Sequence, residues 1–205
     1  EVDFLTDKLD VPFIKIASMD VNNLPFLEYI ARKGKPILMS TGLSELHEID
    51  MAVKTIESTG NYQLIILHCI AIYPAPDKSV NLNNIDTLKQ LYQYPIGFSD
   101  HTLGFSIPLA SVAKGVCLIE KHFTLDKTKI GLDNQIAMEP DEMSQLVTHC
   151  HNVQKALGGT ERMVLPAEMD QRKQMRRSIV STKDLKAAKK LIKSDLDVKR
   201  PGTGI

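Results

Sequence analysis

The chain has 205 residues, 43% apolar and 24% charged, the balance of a soluble globular protein, which excludes collagen-like, low-complexity and wholly disordered classes. Lys and Arg number 25, as do Asp and Glu, so no net field draws the chain to nucleic acid or to an anionic membrane. No apolar run approaches the roughly 20 residues that span a bilayer, and no charged-then-apolar leader opens the sequence.

Residues 1–9 place Val2, Leu5 and Leu9 at helical spacing with no cap before them, and the chain begins at Glu1 rather than Met. Together with an ending just after a strand-like stretch, this leads us to expect a fragment of a longer protein. Five short β-rich runs follow, at 13–17, 37–40, 64–69, 96–99 and 117–123. Helix-period segments separate them, at 24–33, 45–58, 82–92 and 106–114, and another follows at 140–157. Ser44 is the expected cap of the second helix, and Gly60, Gly115 and the Gly158-Gly159 pair are stop signals. Such βα units build a parallel sheet, either five units of a (β/α)8 barrel or a doubly wound sheet. Residues 160–177 are charged, lack an apolar face and read as a linker. Residues 178–205 resume β character, too short to bury a core alone. The expected domains are therefore 1–159, a linker at 160–177, and 178–205. Met39, Met51, Leu88 and Phe105 are expected in the core.

Every strand ends in polar, reactive types: Lys15 and Ser18; Ser40-Thr41-Gly42; His68; Ser99-Asp100-His101; Glu120-Lys121-His122. A barrel puts such residues at one mouth, whereas a doubly wound sheet gathers them at one crevice, so the distribution favours the barrel. His101 and His122, on neighbouring strands, would bring two imidazoles to that mouth, suited to a divalent metal with open positions; hydrogen bonds within the loops are the plain alternative. Glu120 shares a face with His122 and needs a partner or a role if buried: orienting a histidine, transferring a proton, or an ion pair with Lys15. Lys15, Ser18, Ser40 and Ser99 form an oxyanion-binding set, although Ser-Thr-Gly before a helix is also an ordinary cap. Asp133 could meet sugar hydroxyls or simply form a turn, and Tyr73 lies in a rigid Pro-flanked loop. The three cysteines, 69, 117 and 150, have no CxxC spacing and read as buried free thiols of a reducing, cytoplasmic setting.

The strings Lys15-Ile-Ala-Ser18, Gly34-Lys-Pro-Ile37, Ser40-Thr-Gly42, His68-Cys69 with Tyr73-Pro74, Val80-Asn-Leu82, Gly97-Phe-Ser-Asp-His-Thr102, Glu120-Lys-His-Phe-Thr-Leu-Asp126, Glu139-Pro140 and Lys199-Arg-Pro-Gly202 occur in this order. Together they closely resemble the sialic acid synthase family of phosphoenolpyruvate-dependent nonulosonate synthases. The resemblance implies an α/β fold: strands four to eight of a partial (β/α)8 TIM barrel, followed by the start of a C-terminal β-rich SAF (antifreeze-like) domain. It implies condensation of phosphoenolpyruvate with an N-acetylated aldose, N-acetylmannosamine or a related deoxy sugar, to a nine-carbon 2-keto acid. By the same resemblance Lys15, Ser18, Ser40 and Ser99 would hold phosphoenolpyruvate. His101 and His122 would bind Mn²⁺ or Mg²⁺ and act in catalysis with Glu120, while Glu120, Tyr73 and Asp133 would lie along the sugar. Arg200 would reach the N-acetyl group from the second protomer of a domain-swapped homodimer.

Two positions depart from the pattern. Ala71 stands where members often carry a polar residue, and Asp133-Asn134 replaces the Asp-His common in N-acetylneuraminate synthases, which leaves a bacillosamine-type sugar open. Two other readings stand beside the synthase: a barrel aldolase with Lys15 as Schiff base, and an inactive half-barrel acting as an interaction module. The chain alone would present two unpaired edge strands, and we expect it to be inactive and to self-associate.

Overall fold

The structure, a computed structural model, describes residues 1–200; the end of the expected C-terminal module, 201–205, lies outside the described residues. Two compact units divide at Gly158 and Gly159. The first opens with a helical turn, Phe4–Lys8. Five βα units follow: β1 Ile14–Ile16, α1 Leu24–Ala31, β2 Ile37–Ser40, α2 Leu46–Ser58, β3 Leu64–Cys69, α3 Asp77–Val80, α4 Asn84–Leu91, β4 Ile96–Asp100, α5 Ser106–Ala113, β5 Ile119–Lys121 and α6 Pro140–Leu157.

All five strands pair in parallel, each beside its neighbour in sequence. A doubly wound sheet would reverse that order at its switch point. The register also shows curvature. Lys15 of β1 and Glu120 of β5 lie four strand spacings apart, about 19 Å on a flat sheet, farther than the two side chains can span. Yet Lys15 Nζ lies 3.6 Å from Glu120 Oε1. The sheet is therefore curled into a half-barrel, with both residues on its concave face.

Cross-strand partners share a face, so the pairs Lys15–Leu38, Ser40–Leu67, Leu67–Gly97, Cys69–Ser99 and Ser99–Glu120 all line the interior. Gly97 is glycine for a steric reason: a Cβ there would sit 2.5 Å from Leu67 Cδ2 and 3.1 Å from the Leu118 carbonyl. The opposite parity, Ile14, Ile16, Ile37, Met39, Leu64, Ile66 and Ile96, packs against Leu27, Ile30, Ile49, Val53, Ile56, Ile85 and Leu88 as the main core. Burial of this layer drives the fold, and it leaves the inner face free to be polar.

Several local expectations are corrected. The cap of α2 is Glu45, not Ser44: the Glu45 N–H donates to Glu48 Oε2 at 2.8 Å, while the Ser44 hydroxyl turns to the Gly42 carbonyl. The helix expected over 82–92 is α4, slightly shorter at Asn84–Leu91, and a further short helix, α3, precedes it, ending at Asn81 with φ 47°. β5 is shorter than expected, so His122 follows the strand rather than lying within it. Met51 is exposed on α2, whereas Met39 and Leu88 are buried. Of the cysteines, Cys69 alone is buried; Cys117 is exposed.

His68 faces outward, stacked on Phe98 and donating from Nε2 to the Val80 carbonyl at 2.7 Å. Burial holds its imidazole below its ordinary value. The unfolded chain therefore takes up a proton near pH 6.5 that the folded chain refuses, and stability falls as pH drops below that point, by up to about 1.4 kcal/mol per pH unit. We expect the loss of urea midpoint between pH 7.5 and 5.5 to shrink in His68→Gln; an unchanged difference would contradict this.

The second unit holds α7 Pro166–Met175, β6 Ser178–Ser181 and β7 Leu196–Lys199. Where a linker was expected, α7 forms because Pro166 opens it, Glu168 accepts the Leu165 N–H at 3.0 Å, and Arg172 and Lys173 close its last turn. It buries no residue. β6 and β7 pair antiparallel, and the buried Asp195 carboxylate gathers Lys189 and Lys183 beside them.

Among the described residues β1 and β5 each have one unpaired side. Open edges recruit other chains, so light scattering on this polypeptide alone should show self-association; a monodisperse monomer would contradict it.

Candidate active site

The interior polar groups converge at the C-terminal ends of the strands. Lys15 donates to its neighbour Ile16 carbonyl at 2.8 Å and pairs with Glu120, and Glu120 Oε1 accepts the Ser99 hydroxyl at 2.7 Å. The ion pair weighed as an alternative role for Glu120 is thus present, and it leaves the carboxylate on the concave surface. At the end of β1, Ser18 Oγ accepts the Gly42 N–H at 3.0 Å and meets Cys69 Sγ at 3.5 Å. A Cβ on Gly42 would lie 2.8 Å from Ser18 Oγ and 3.1 Å from Cys69 Sγ, so glycine keeps this cradle open. Ser40 Oγ is buried with no hydrogen-bond partner among the described residues, a group that a polar ligand would satisfy.

At the rim the two imidazoles lie side by side, ring centres 5.2 Å apart and tilted by 44°. His101 Nδ1 donates to the Ile70 carbonyl at 2.9 Å, and His122 Nδ1 faces Asp133 Oδ2 at 3.9 Å. Among the described residues neither Nε2 has a hydrogen-bond partner. A ring N–H held by a carbonyl, as that of His101 is, is the usual support of a metal-ligating histidine, whereas His122 Nδ1 lies beyond hydrogen-bond distance of Asp133. An ion about 2.1 Å from one nitrogen of each ring, at a right or tetrahedral angle, sets ring centres roughly 5 Å apart, close to the spacing found. No group of three or more His, Cys, Asp or Glu among the described residues is placed to hold a metal, so water or substrate oxygens would have to complete the shell of any bound ion. Tyr73 leans over His101 with ring centres 4.2 Å apart and approaches His122 edge-on at 5.8 Å. Its loop is held by the Ala75 N–H donating to the His101 carbonyl at 2.9 Å.

The imidazoles differ electrostatically. Burial opposes the charge of His101, but contact with Cys69 and the Ile70 carbonyl outweighs it and the ring sits above its ordinary value. His122 sits below its own, through burial and then the neighbouring His101. Cys69 is held low despite burial, by His101 and Ser18.

Two residues behind the site stand in the strand-end motifs but were given no role from sequence. Asp100 and Lys121 are cross-strand partners on the outward parity, almost wholly buried and paired at 2.7 Å. Asp100 Oδ1 also accepts the Thr102 N–H and hydroxyl at 2.9 and 2.8 Å, and Lys121 reaches the Thr102 carbonyl. This knot fixes the turn that carries His101. With Ser99, His101, Glu120 and His122 the pair lines a cavity of about 150 Å³. A larger cavity, about 830 Å³, lies mainly among apolar residues along the unpaired side of β5 and α6. Arg200 is exposed in the second unit.

Residues 1–162 match the NeuB family. Protein MJ1065 of Methanocaldococcus jannaschii is 46% identical over 100% of this chain and 60% of its own length. N,N'-diacetyllegionaminic acid synthase of Legionella pneumophila is 40% identical over 100% of this chain and 58% of its own. A solved N-acetylneuraminic acid synthetase from Leptospira borgpetersenii superposes with TM-score 0.75 at 38% identity, covering 80% of this chain and 57% of that one. The chain thus spans about 60% of the length of these relatives. With the family match running from β1 through α6 and the half-barrel in common, the chain belongs to the NeuB family of sialic and legionaminic acid synthases.

Proposed function

We propose that this chain supplies the larger part of a site that condenses phosphoenolpyruvate with an N-acetylated aldose, giving a nine-carbon 2-keto acid and inorganic phosphate. The observation that carries this reading is one concave face on which a lysine and three serines, one of them buried without a hydrogen-bond partner among the described residues, adjoin two imidazoles set side by side. A dianionic phosphate beside a carboxylate needs such a lysine-and-hydroxyl lining, and a sugar aldehyde needs an electrophilic partner at the rim.

The reaction balances as phosphoenolpyruvate, aldose and water going to keto acid and phosphate. The enol carbon bonds to the aldehyde carbon, the aldehyde oxygen takes a proton, water adds at the phosphate-bearing carbon, and phosphate leaves. Lys15 and Ser18, with Ser40 and Ser99, would hold the phosphate and carboxylate. Once Lys15 turns to the anion, Glu120 is released from its ion pair and is placed to accept or return the proton moved at the aldehyde oxygen or the water. His101 and His122 would hold Mn²⁺ or Mg²⁺, which when bound polarises the aldehyde. Tyr73 closes one side of this rim and Asp133 orients His122.

The second unit carries twelve Lys and Arg against six Asp and Glu over residues 159–200. That charge suits the start of an SAF domain capping a site that binds anions, with Arg200 reaching the sugar's N-acetyl group in the partner protomer's site of a cytoplasmic homodimer. Asp133-Asn134, and relatives named as legionaminic acid synthases at 40% and 39% identity, favour a deoxy sugar with two N-acetyl groups over N-acetylmannosamine.

The test is product mass spectrometry on a form of the protein with all eight barrel units, offered phosphoenolpyruvate and several N-acetylated hexoses. A product three carbons longer than the sugar, with stoichiometric phosphate and no borohydride-trapped adduct, is expected; an adduct on Lys15 would establish the aldolase instead.

A further inference from the structure

Cys69 is an interior residue of the site with no role in that reaction. Its register partner is Ser99, and Ser99 in turn pairs with Glu120, so the thiol stands in the same cross-barrel row as both. It is 4% exposed. Sγ lies 3.5 Å from Ser18 Oγ and 3.9 Å from His101 Nδ1, with the Gly42 backbone closing over it. Donors and acceptors at these atoms can be assigned. Ser18 Oγ accepts from the Gly42 amide, so its own proton is free to point at sulfur. His101 Nδ1 carries a proton toward the Ile70 carbonyl, so sulfur can only receive a share of it.

We infer that Cys69 is a positioning residue: it takes the Ser18 hydroxyl proton in the free site and braces the His101 ring, linking the anion end of the site to its imidazole end. The inference rests on the condensation reading for what the two ends bind. An entering anion oxygen takes the Ser18 proton in place of sulfur, a hydroxyl swing over a short arc that needs no backbone movement. A thiol suits this place because it is a weak acceptor that yields readily to a phosphate oxygen. Its bulk also fills the space between Ser18, Gly42 and His101, which a smaller side chain would leave open.

The experiment measures kcat and KM of Cys69→Ala and Cys69→Ser, with the parent, in the eight-unit form. In Cys69→Ala the Ser18 hydroxyl loses its resting partner and becomes free to rotate, so KM for phosphoenolpyruvate should rise about tenfold, while the loosened His101 ring raises KM for the sugar by a smaller factor. Cys69→Ser restores a hydroxyl acceptor and should recover most of the phosphoenolpyruvate KM; it also serves if the alanine variant melts early. Equal KM values in parent and alanine variant overturn the inference, as does a serine variant no better than alanine, which would make Cys69 a packing residue only. A parent with no turnover overturns the condensation reading and this inference with it, whereas an active parent with indifferent variants removes this inference alone.

Discussion

Asp100→Ala should cost about 3–5 kcal/mol of folding stability, the range for removing one partner of a buried ion pair. The reason lies in what the substitution leaves behind. Lys121 Nζ would keep only the Thr102 carbonyl in a place where its side chain is 3% exposed, and Thr102 would lose acceptors for both its amide and its hydroxyl. The loss is therefore an uncompensated charge plus two orphaned donors, beyond the pair's own modest net attraction. A companion variant separates these contributions. Asp100→Leu combined with Lys121→Met removes both charges at similar volume and should recover more than half of the lost stability in urea unfolding, because the desolvation cost disappears with the ions. A single variant within 1 kcal/mol of the parent would mean that the knot behind His101 holds nothing in place.

His122→Gln and His101→Gln should each lower metal-dependent turnover on the order of 10³-fold, the equivalent of several kcal/mol of lost transition-state charge stabilisation. The melting temperature should move little in His122→Gln, whose ring is half-buried, and more in His101→Gln, where the Ile70 carbonyl loses its donor. Asp133→Ala leaves both imidazoles in place and removes only the group facing His122 Nδ1, so it should weaken metal affinity by about 10–100-fold, the usual range for an outer-shell partner. Excess metal should restore turnover in Asp133→Ala and fail to do so in His122→Gln. Equal rescue of both would take His122 out of the metal-binding set.

Much of this architecture is legible in the residues. Period-two runs followed by amphipathic segments mark each βα unit, and the helix Pro140–Leu157 has the bounds that its proline and following glycines predict. Polar residues at every strand end point to a barrel, and the consecutive strand order agrees. Local hydrogen bonding is harder to read. Ser44 and Glu45 both satisfy the composition of a cap, and only the backbone geometry decides that Glu48 reaches back to Glu45. Linker-like composition concealed α7 because a helix with no buried face leaves no hydrophobic period.

The site shows the same division. His101 and His122 are recognisable from their position on adjacent units. Asp100 and Cys69 are not, because their importance comes from register. The alternation that turns Ser99 inward turns Asp100 onto Lys121, and the pairing of Cys69 with Ser99 brings a thiol against Ser18 and His101. Counting parity from Lys15 across the strands would have found both.

The central claim is that two imidazoles from neighbouring strand ends share one divalent ion at the mouth of the half-barrel. Electron paramagnetic resonance of Mn²⁺ titrated into the protein tests it most directly, since the free aqua ion signal falls as ions bind. One ion per chain should be taken up by the parent, and none at the same concentrations by His101→Gln or His122→Gln. Undiminished uptake in both variants would contradict the account.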